Sequence, residues 1–297
     1  ISAKMNIANV ELQKGDVSRS IKMLEEIVRD APSYQEAKAN LALAYKNIGK
    51  VKKALTIYEE LNFSGPWSLK AQFNYGITLV TTARFKEGWR YYEYRWQVSP
   101  ANAIKWPIKD KPVWSGEKGK RVVLWKEQGI GDDVIFLSLV QEVKEMCSSL
   151  AVYVDPRLQK LCARAMPEIN FVKDIEALKN AECDYHLPLG SVPGLVRNDI
   201  RDFDRAVKGY LKADPERVKA VRNELQLDGK TVIGISWRSF KALNKAKKSI
   251  QLSDMGSMFS GLDVVLVNLQ YGDVEDEIRE FKEKTGIEVL QCTSVDN

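Results

Sequence analysis

The chain has 297 residues, 45 of them basic and 40 acidic for a net charge of +5, and 44% are hydrophobic. That composition supports two or three domains with real cores and excludes wholesale disorder. No apolar run approaches the length of a membrane span, and the charge excess is too diffuse to argue for a nucleic-acid partner.

The first hundred residues follow a helical period. Sliding the sequence against itself by 34 residues aligns Pro32, Pro66 and Pro100, then Gly15, Gly49 and Ala83, then Ser20, Ala54 and Gly88. Small residues in such columns are expected where two helices approach closely. Large apolar residues fill the partner columns: Leu24, Tyr58 and Tyr92, then Ile27 and Leu61. Arg95 breaks the last column, as an end repeat does when it must meet something other than another repeat. Each proline follows a helix that it cannot continue. A helix–turn–helix unit of this length is the tetratricopeptide repeat, so 1–102 reads as three repeats, 1–34, 35–68 and 69–102.

Asn6, Asn40 and Asn74 share one further phase, on the first helix of each unit. First helices line the concave face of such a superhelix, where amides can pair with the backbone of an extended peptide. The alternative is that each amide bonds a neighbouring helix, as any buried polar group must find a partner. Both readings stand.

Around residue 103 the helical period stops, and 103–120 reads as a connector rich in Trp and Pro, including Trp106, Pro107, Pro112 and Trp114. Strands are then expected at Arg121–Trp125, Leu150–Val154 and Ile169–Val172, with a helix over Asp132–Cys147. Further on come helix Pro215–Leu225, strand Thr231–Trp237, helix Ser253–Phe259, strand Val264–Asn268, helix Val274–Lys284 and strand Glu288–Leu290. Alternating strands and helices imply α/β architecture with doubly wound parallel sheets, divided here as 121–212 and 213–297. The fold class is thus helical repeats followed by α/β.

Ligands of such sheets sit beyond the carboxyl ends of the strands. The segment Glu127-Gln128-Gly129-Ile130-Gly131-Asp132-Asp133 falls there, after the first strand. Its glycines allow a tight turn and close backbone approach, and the following helix start favours an ionised Asp132. Asp132 is equally readable as a plain N-cap. Two more strand ends carry polar clusters, Gly234–Ser239 and Leu269–Asp273. Arg238 and Lys248 can neutralise a diphosphate, with Ser239 and Gln270 beside them, and Tyr271 can pack on a ring. Lys241, Lys245 and Lys247 join Lys248 in the strongest basic cluster. The four cysteines show no paired spacing and read as free thiols of a reducing, cytoplasmic setting. With His186 as the one histidine, no metal-ligand cluster or serine-type triad is expected.

Together, Glu87–Trp96, Trp114–Glu117, Glu127–Asp132, Gly234–Ser239 and Leu269–Asp273 resemble bacterial proteins that join tetratricopeptide repeats to a region similar to glycosyltransferase family 9, the heptosyltransferases. More distantly, the arrangement resembles the O-linked N-acetylglucosamine transferases. The resemblance implies a GT-B architecture of two Rossmann-like domains. It also implies transfer of a sugar from a nucleotide-sugar to an acceptor hydroxyl, with no cofactor or metal. Gly131-Asp132 matches the position of the family's proposed base. Lys248, or else Arg238, matches the basic residue that holds the donor diphosphate. Glu127, Gln128, Gly129, Gly131, Ser239, Gln270 and Tyr271 complete the expected substrate and donor set. Only about three strands of the second domain precede Asn297, so that domain is expected to be incomplete, and this chain alone is expected to be inactive.

The leading expectation is a glycosyltransferase-like protein whose repeats recruit an acceptor or partner. Beside it stand two alternatives. One is a non-catalytic adaptor with a degenerate or dimerising transferase region. The other is a regulator that senses a nucleotide-sugar or nucleoside diphosphate.

Overall fold

The computed structural model describes residues 1–63, 65–98, 107–108, 110–205, 209–239 and 249–292. Lys241, Lys245, Lys247 and Lys248, together with Pro100 and Trp106, lie outside the described residues. The chain forms two compact units, Ile1–Lys212 and Ala213–Asn297.

The first unit opens with three helix pairs. These are α1 (Ser2–Lys14) with α2 (Val17–Asp30), α3 (Gln35–Asn47) with α4 (Val51–Phe63), and α5 (Leu69–Thr81) with α6 (Phe85–Tyr92). Along α2 the buried residues are Val17, Ser20, Ile21, Leu24 and Ile27, the stripe a 3.6-residue period places on one face. Asp16 caps α2 by accepting from the Arg19 amide, and Ser68 caps α5 by accepting from Ala71.

The small-residue columns divide into two physical kinds. Ser20 and Ala54 are fully buried, and a Cβ on Gly88 would lie 2.8 Å from Val80 Cγ2, so this column does mark close helix approach. Gly15 and Gly49 would meet nothing within 4 Å; they hold φ of +94° and +77° where a helix ends. Ala83 holds the same turn at φ +61°. The expectation that this column, too, reflects helix contact is corrected: it reflects left-handed backbone.

After a short α7 (Arg95–Val98) comes a four-stranded parallel sheet, ordered β3-β2-β1-β4. Its strands are β1 (Arg121–Trp125), β2 (Ser149–Tyr153), β3 (Asn170–Phe171) and β4 (Tyr185–Pro188). β1 is central and buried on both faces, as parallel sheets require. Val122 and Leu124 enter one core with Trp114, Val140 and Leu187, while Val123 and Trp125 enter another with Trp96 and Leu178. Between β1 and β2, one helix was expected over 132–147. The structure has two, α8 (Ile130–Leu137) and α9 (Val140–Met146), broken where the Ser138 hydroxyl donates to the Ile135 carbonyl. Helices α10 (Gln159–Ala165), α11 (Ile175–Lys179) and α12 (Pro193–Val196) follow, and after them a 3-10 helix at Ile200–Arg205. The outer edge of β4 is paired by the connector, through Trp114 N–H to the His186 carbonyl at 2.9 Å and His186 N–H to the Pro112 carbonyl at 3.1 Å.

The second unit holds α13 (Pro215–Glu224), β5 (Val232–Ile235), α14 (Gly256–Phe259), β6 (Val265–Asn268), α15 (Glu275–Thr285) and β7 (Val289–Leu290). Its three strands are parallel in the order β5-β6-β7. Ile235, Leu266, Ile278, Phe281 and Val289 form its core.

Candidate functional site

A groove of about 640 Å³ runs across the first helices of the three repeats. Asn40 and Asn74 line it, together with Asn9, Gln13, Asn47 and Trp67. Asn6 is exposed and is not among the lining residues. Asn40 Nδ2 donates to Asn9 Oδ1 at 2.8 Å, so one rung is tied to the adjacent helix while facing the groove. Asn9 stands three residues after Asn6, close to it on one helix face, and that helical offset is the signal by which it can be found. The lining carries only Glu36 and Lys70 as charges, among amides, the Ser68 hydroxyl and apolar stems. At one end Trp67 packs against Tyr58, Tyr75 and Tyr91 at centroid distances of 6.1, 5.5 and 6.2 Å.

At the carboxyl end of β1 the expected residues separate. Glu127 is buried, its side chain 2% exposed, and faces Arg95, whose side chain is 4% exposed. Arg95 donates from Nη2 to Glu127 Oε1 at 2.8 Å and from Nε to Oε2 at 3.3 Å. The Gly190 amide donates to the same carboxylate at 2.8 Å. Ser191 accepts from Arg95 and donates to Glu93, and Glu93 also accepts from Arg95. Glu127 thus joins the end of the third repeat to the sheet. Burial opposes the Arg95 charge, but the Glu127 hydrogen bond and the nearby carboxylates raise its pKa and keep it charged.

Gln128, Gly131 and Asp132 are exposed. The helix begins at Ile130 with Gly129 as N-cap in extended backbone, so Asp132 lies inside the first turn and is not the cap. Asp133, by contrast, is buried and accepts the Glu127 amide at 2.7 Å and the Asp155 amide at 3.0 Å. It staples the loop after β1 to the loop after β2. Burial pushes its carboxyl up to about 6 against the pull of those two amides. Asp155 is pulled to about 2, chiefly by its hydrogen bond to Arg157. His186 is buried, accepts from Trp125 Nε1 at 3.1 Å through Nδ1, and has its pKa lowered by burial.

In the second unit Gln270 is buried, and its Oε1 accepts from Ser236 Oγ, Trp237 N and Arg238 N at 3.0, 3.1 and 2.9 Å. Arg238 donates to the Asp273 carbonyl at 2.7 Å and pairs with Glu277 at 2.9 Å. The Ser239 amide donates to Ser249 Oγ at 3.1 Å, and Tyr271 is exposed. Arg238, Ser239 and Gln270 are therefore gathered at the ends of β5 and β6, held largely by each other and by nearby acids. Among the described residues no cluster of His, Cys, Asp and Glu could hold a metal ion. Nor is any described helix long and apolar enough to cross a membrane.

No protein-family model matches the chain. It is 30% identical to protein FlbA of Caulobacter vibrioides, over 95% of this chain and 51% of that protein. The chain thus spans about half the length of that relative. Tetratricopeptide repeat protein 21A of mouse is 22% identical, over 59% of this chain and 16% of the relative. Among solved structures, MamA of Desulfovibrio magneticus covers 34% of this chain and 56% of its own, at 21% identity and a TM-score of 0.30. A Thermobaculum terrenum O-GlcNAc transferase mutant covers 98% and 74%, at 15% identity and a TM-score of 0.31. Likenesses this remote carry no argument about activity. The chain carries a tetratricopeptide-like helical-repeat region followed by parallel sheet.

Proposed function

We propose that the chain is a protein-interaction scaffold whose repeats hold an extended peptide segment in the groove of α1, α3 and α5. The amide-rich lining of that groove, with Asn9, Asn40 and Asn74 in it, carries the reading. Amides supply both donors and acceptors, so they can satisfy a peptide backbone whatever its side chains. Binding of an arrayed peptide library to wild type and to Asn40→Ala/Asn74→Ala tests it. Peptides retained by wild type and lost by the variant, with helical circular dichroism unchanged, support the groove. Equal retention removes it.

The second reading is transfer of a sugar from a nucleotide-sugar to an acceptor hydroxyl by a larger protein that includes this chain. Its support is Asp132, exposed in the first turn of α8 beyond the carboxyl end of β1. There the resemblance to glycosyltransferase family 9 implies the base. In this reading Asp132 takes the acceptor proton, Gln128, Gly129 and Gly131 shape the approach, and Arg238, Ser239 and Tyr271 meet the donor. The engagement of Glu127, Gln270 and Arg238 within the fold argues for the scaffold first. Calorimetry with uridine, guanosine and adenosine diphosphates separates the two, since a pure scaffold gives no heat with any of them. Transfer rates unchanged by Asp132→Asn in the full-length protein remove Asp132 from catalysis.

A further inference from the structure

The last repeat of a helical array presents an apolar face that the next repeat would have covered. Here α8, α12 and the turn of helix at Ile200–Arg205 lie against α6 instead. The fit leaves a cavity of about 460 Å³ inside the first unit, a size typical of small-molecule sites. Four aromatic rings line it, Phe85 and Trp89 from α6, Phe136 from α8, and Phe203. Val80, Leu139 and Pro193 complete its apolar walls.

The mouth carries apolar side chains that the fold leaves in water, with Ile135 65% and Ile200 60% exposed. The polar groups at the cavity are turned to partners within the protein. Ser138 Oγ donates to the Ile135 carbonyl at 2.6 Å, and Trp89 Nε1 donates to the Arg197 carbonyl at 2.6 Å. The Arg197 guanidinium is spent on the Glu142 carboxylate and lies 5.7 Å from the centre of the Phe203 ring. Among the described lining residues, then, none offers a charge to replace the hydration of an ionic ligand. Entry of an ion would forfeit its water without compensation, whereas an apolar body gains from leaving water.

We infer that this cavity is a binding site for an uncharged, largely apolar small molecule with an aromatic or aliphatic body. Its rim of Ile135 and Ile200 admits the ligand, and Trp89 stands in its wall as a reporter. The cavity shares no lining residue with the repeat groove, and Asp132, one turn before Ile135 and Phe136 on α8, is not among its lining residues, so the site neither needs nor excludes the readings above.

The test titrates toluene, 1-octanol and octanoate into the whole chain and follows the indole N–H resonance of Trp89, assigned with Trp89→Phe. Toluene and 1-octanol are expected to shift it saturably and to compete, with octanoate at least tenfold weaker. Ile135→Asp, which alters only an exposed rim side chain, should weaken both neutral probes at least tenfold. Leu139→Trp should do so by filling the cavity. Unmoved Trp114 and Trp125 indole signals in each variant show that the sheet is intact. Absence of a saturable shift, affinities unchanged in Ile135→Asp, or octanoate bound as tightly as 1-octanol would overturn the inference. The first of these outcomes would leave the cavity to an inserted side chain of a partner protein.

Discussion

Arg95 and Glu127 meet as a buried, two-pronged ion pair that joins the end of the third repeat to the loop after β1. Neither partner has water to fall back on, so the pair stabilises the junction only while both are present. Arg95→Ala is expected to destabilise the first unit by about 3–5 kcal/mol, because it leaves the Glu127 carboxylate buried without its cation. Glu127→Ala should cost less, because Arg95 keeps its ion pair with Glu93 at 2.9 Å. The double change Arg95→Met/Glu127→Met should be much milder. Urea denaturation with hydrogen exchange on α6 and β1 measures both, and additive losses in the double variant would contradict the pairing.

Ala83 turns the corner between α5 and α6 with a left-handed backbone at φ +61°. A residue with a Cβ is strained there by about 1–2 kcal/mol, which glycine avoids at some entropic cost. Ala83→Gly is therefore expected to stabilise the chain by roughly 0.5–1 kcal/mol, bringing the third repeat into line with Gly15 and Gly49. Thermal denaturation against wild type is the measurement, and a lower midpoint would refute the strain argument.

Asp133 gives the first unit a pH dependence of unusual sign. Its carboxyl is held at about 6 in the fold against an ordinary 3.8. Between those values the folded chain keeps a proton that the unfolded chain has released. Its contribution to stability is full below pH 3.8 and is lost as the pH rises towards 6. The loss is at most on the order of 3 kcal/mol. Asp155 and Asp184, both pulled to about 2, act in the opposite direction and at lower pH. The difference in stability between wild type and Asp133→Asn, measured from pH 3.5 to 7, isolates the Asp133 part. A difference that does not change across that range would exclude it.

Gln270 holds the end of β5 through three donors on one oxygen. Gln270→Ala strands the amides of Trp237 and Arg238 and is expected to destabilise the second unit by about 1–3 kcal/mol. Hydrogen exchange should report faster exchange at 236–238 with little change in the repeats. Protection unaltered at those amides would mean that other groups hold the strand end.

The repeats were legible in the sequence because each column answers to a local demand that recurs every 34 residues. A left-handed corner needs Gly, a helix crossing needs a small residue, and a shared core needs Leu or Tyr. The strands β1, β2 and β6 were legible as short, mostly apolar runs of the kind that a parallel sheet buries. Strand β4 was not, since Tyr185-His186-Leu187-Pro188 has no such run. It is a strand because β1 and the connector pair with it.

The sequence also showed that Arg95 breaks its column, and with it that the third repeat must meet something. What it meets was decided by the tertiary structure, because Glu127 and Ser191 stand 32 and 96 residues away and no local pattern reports a partner at that distance. The same holds for the strand-end motifs. Pattern placed Glu127, Asp132, Asp133 and Gln270 at the strand ends, but burial assigned Glu127, Asp133 and Gln270 to holding the fold and left Asp132 facing solvent. Local chemistry determines which side chains are able to act; only packing determines which of them the fold buries for its own use.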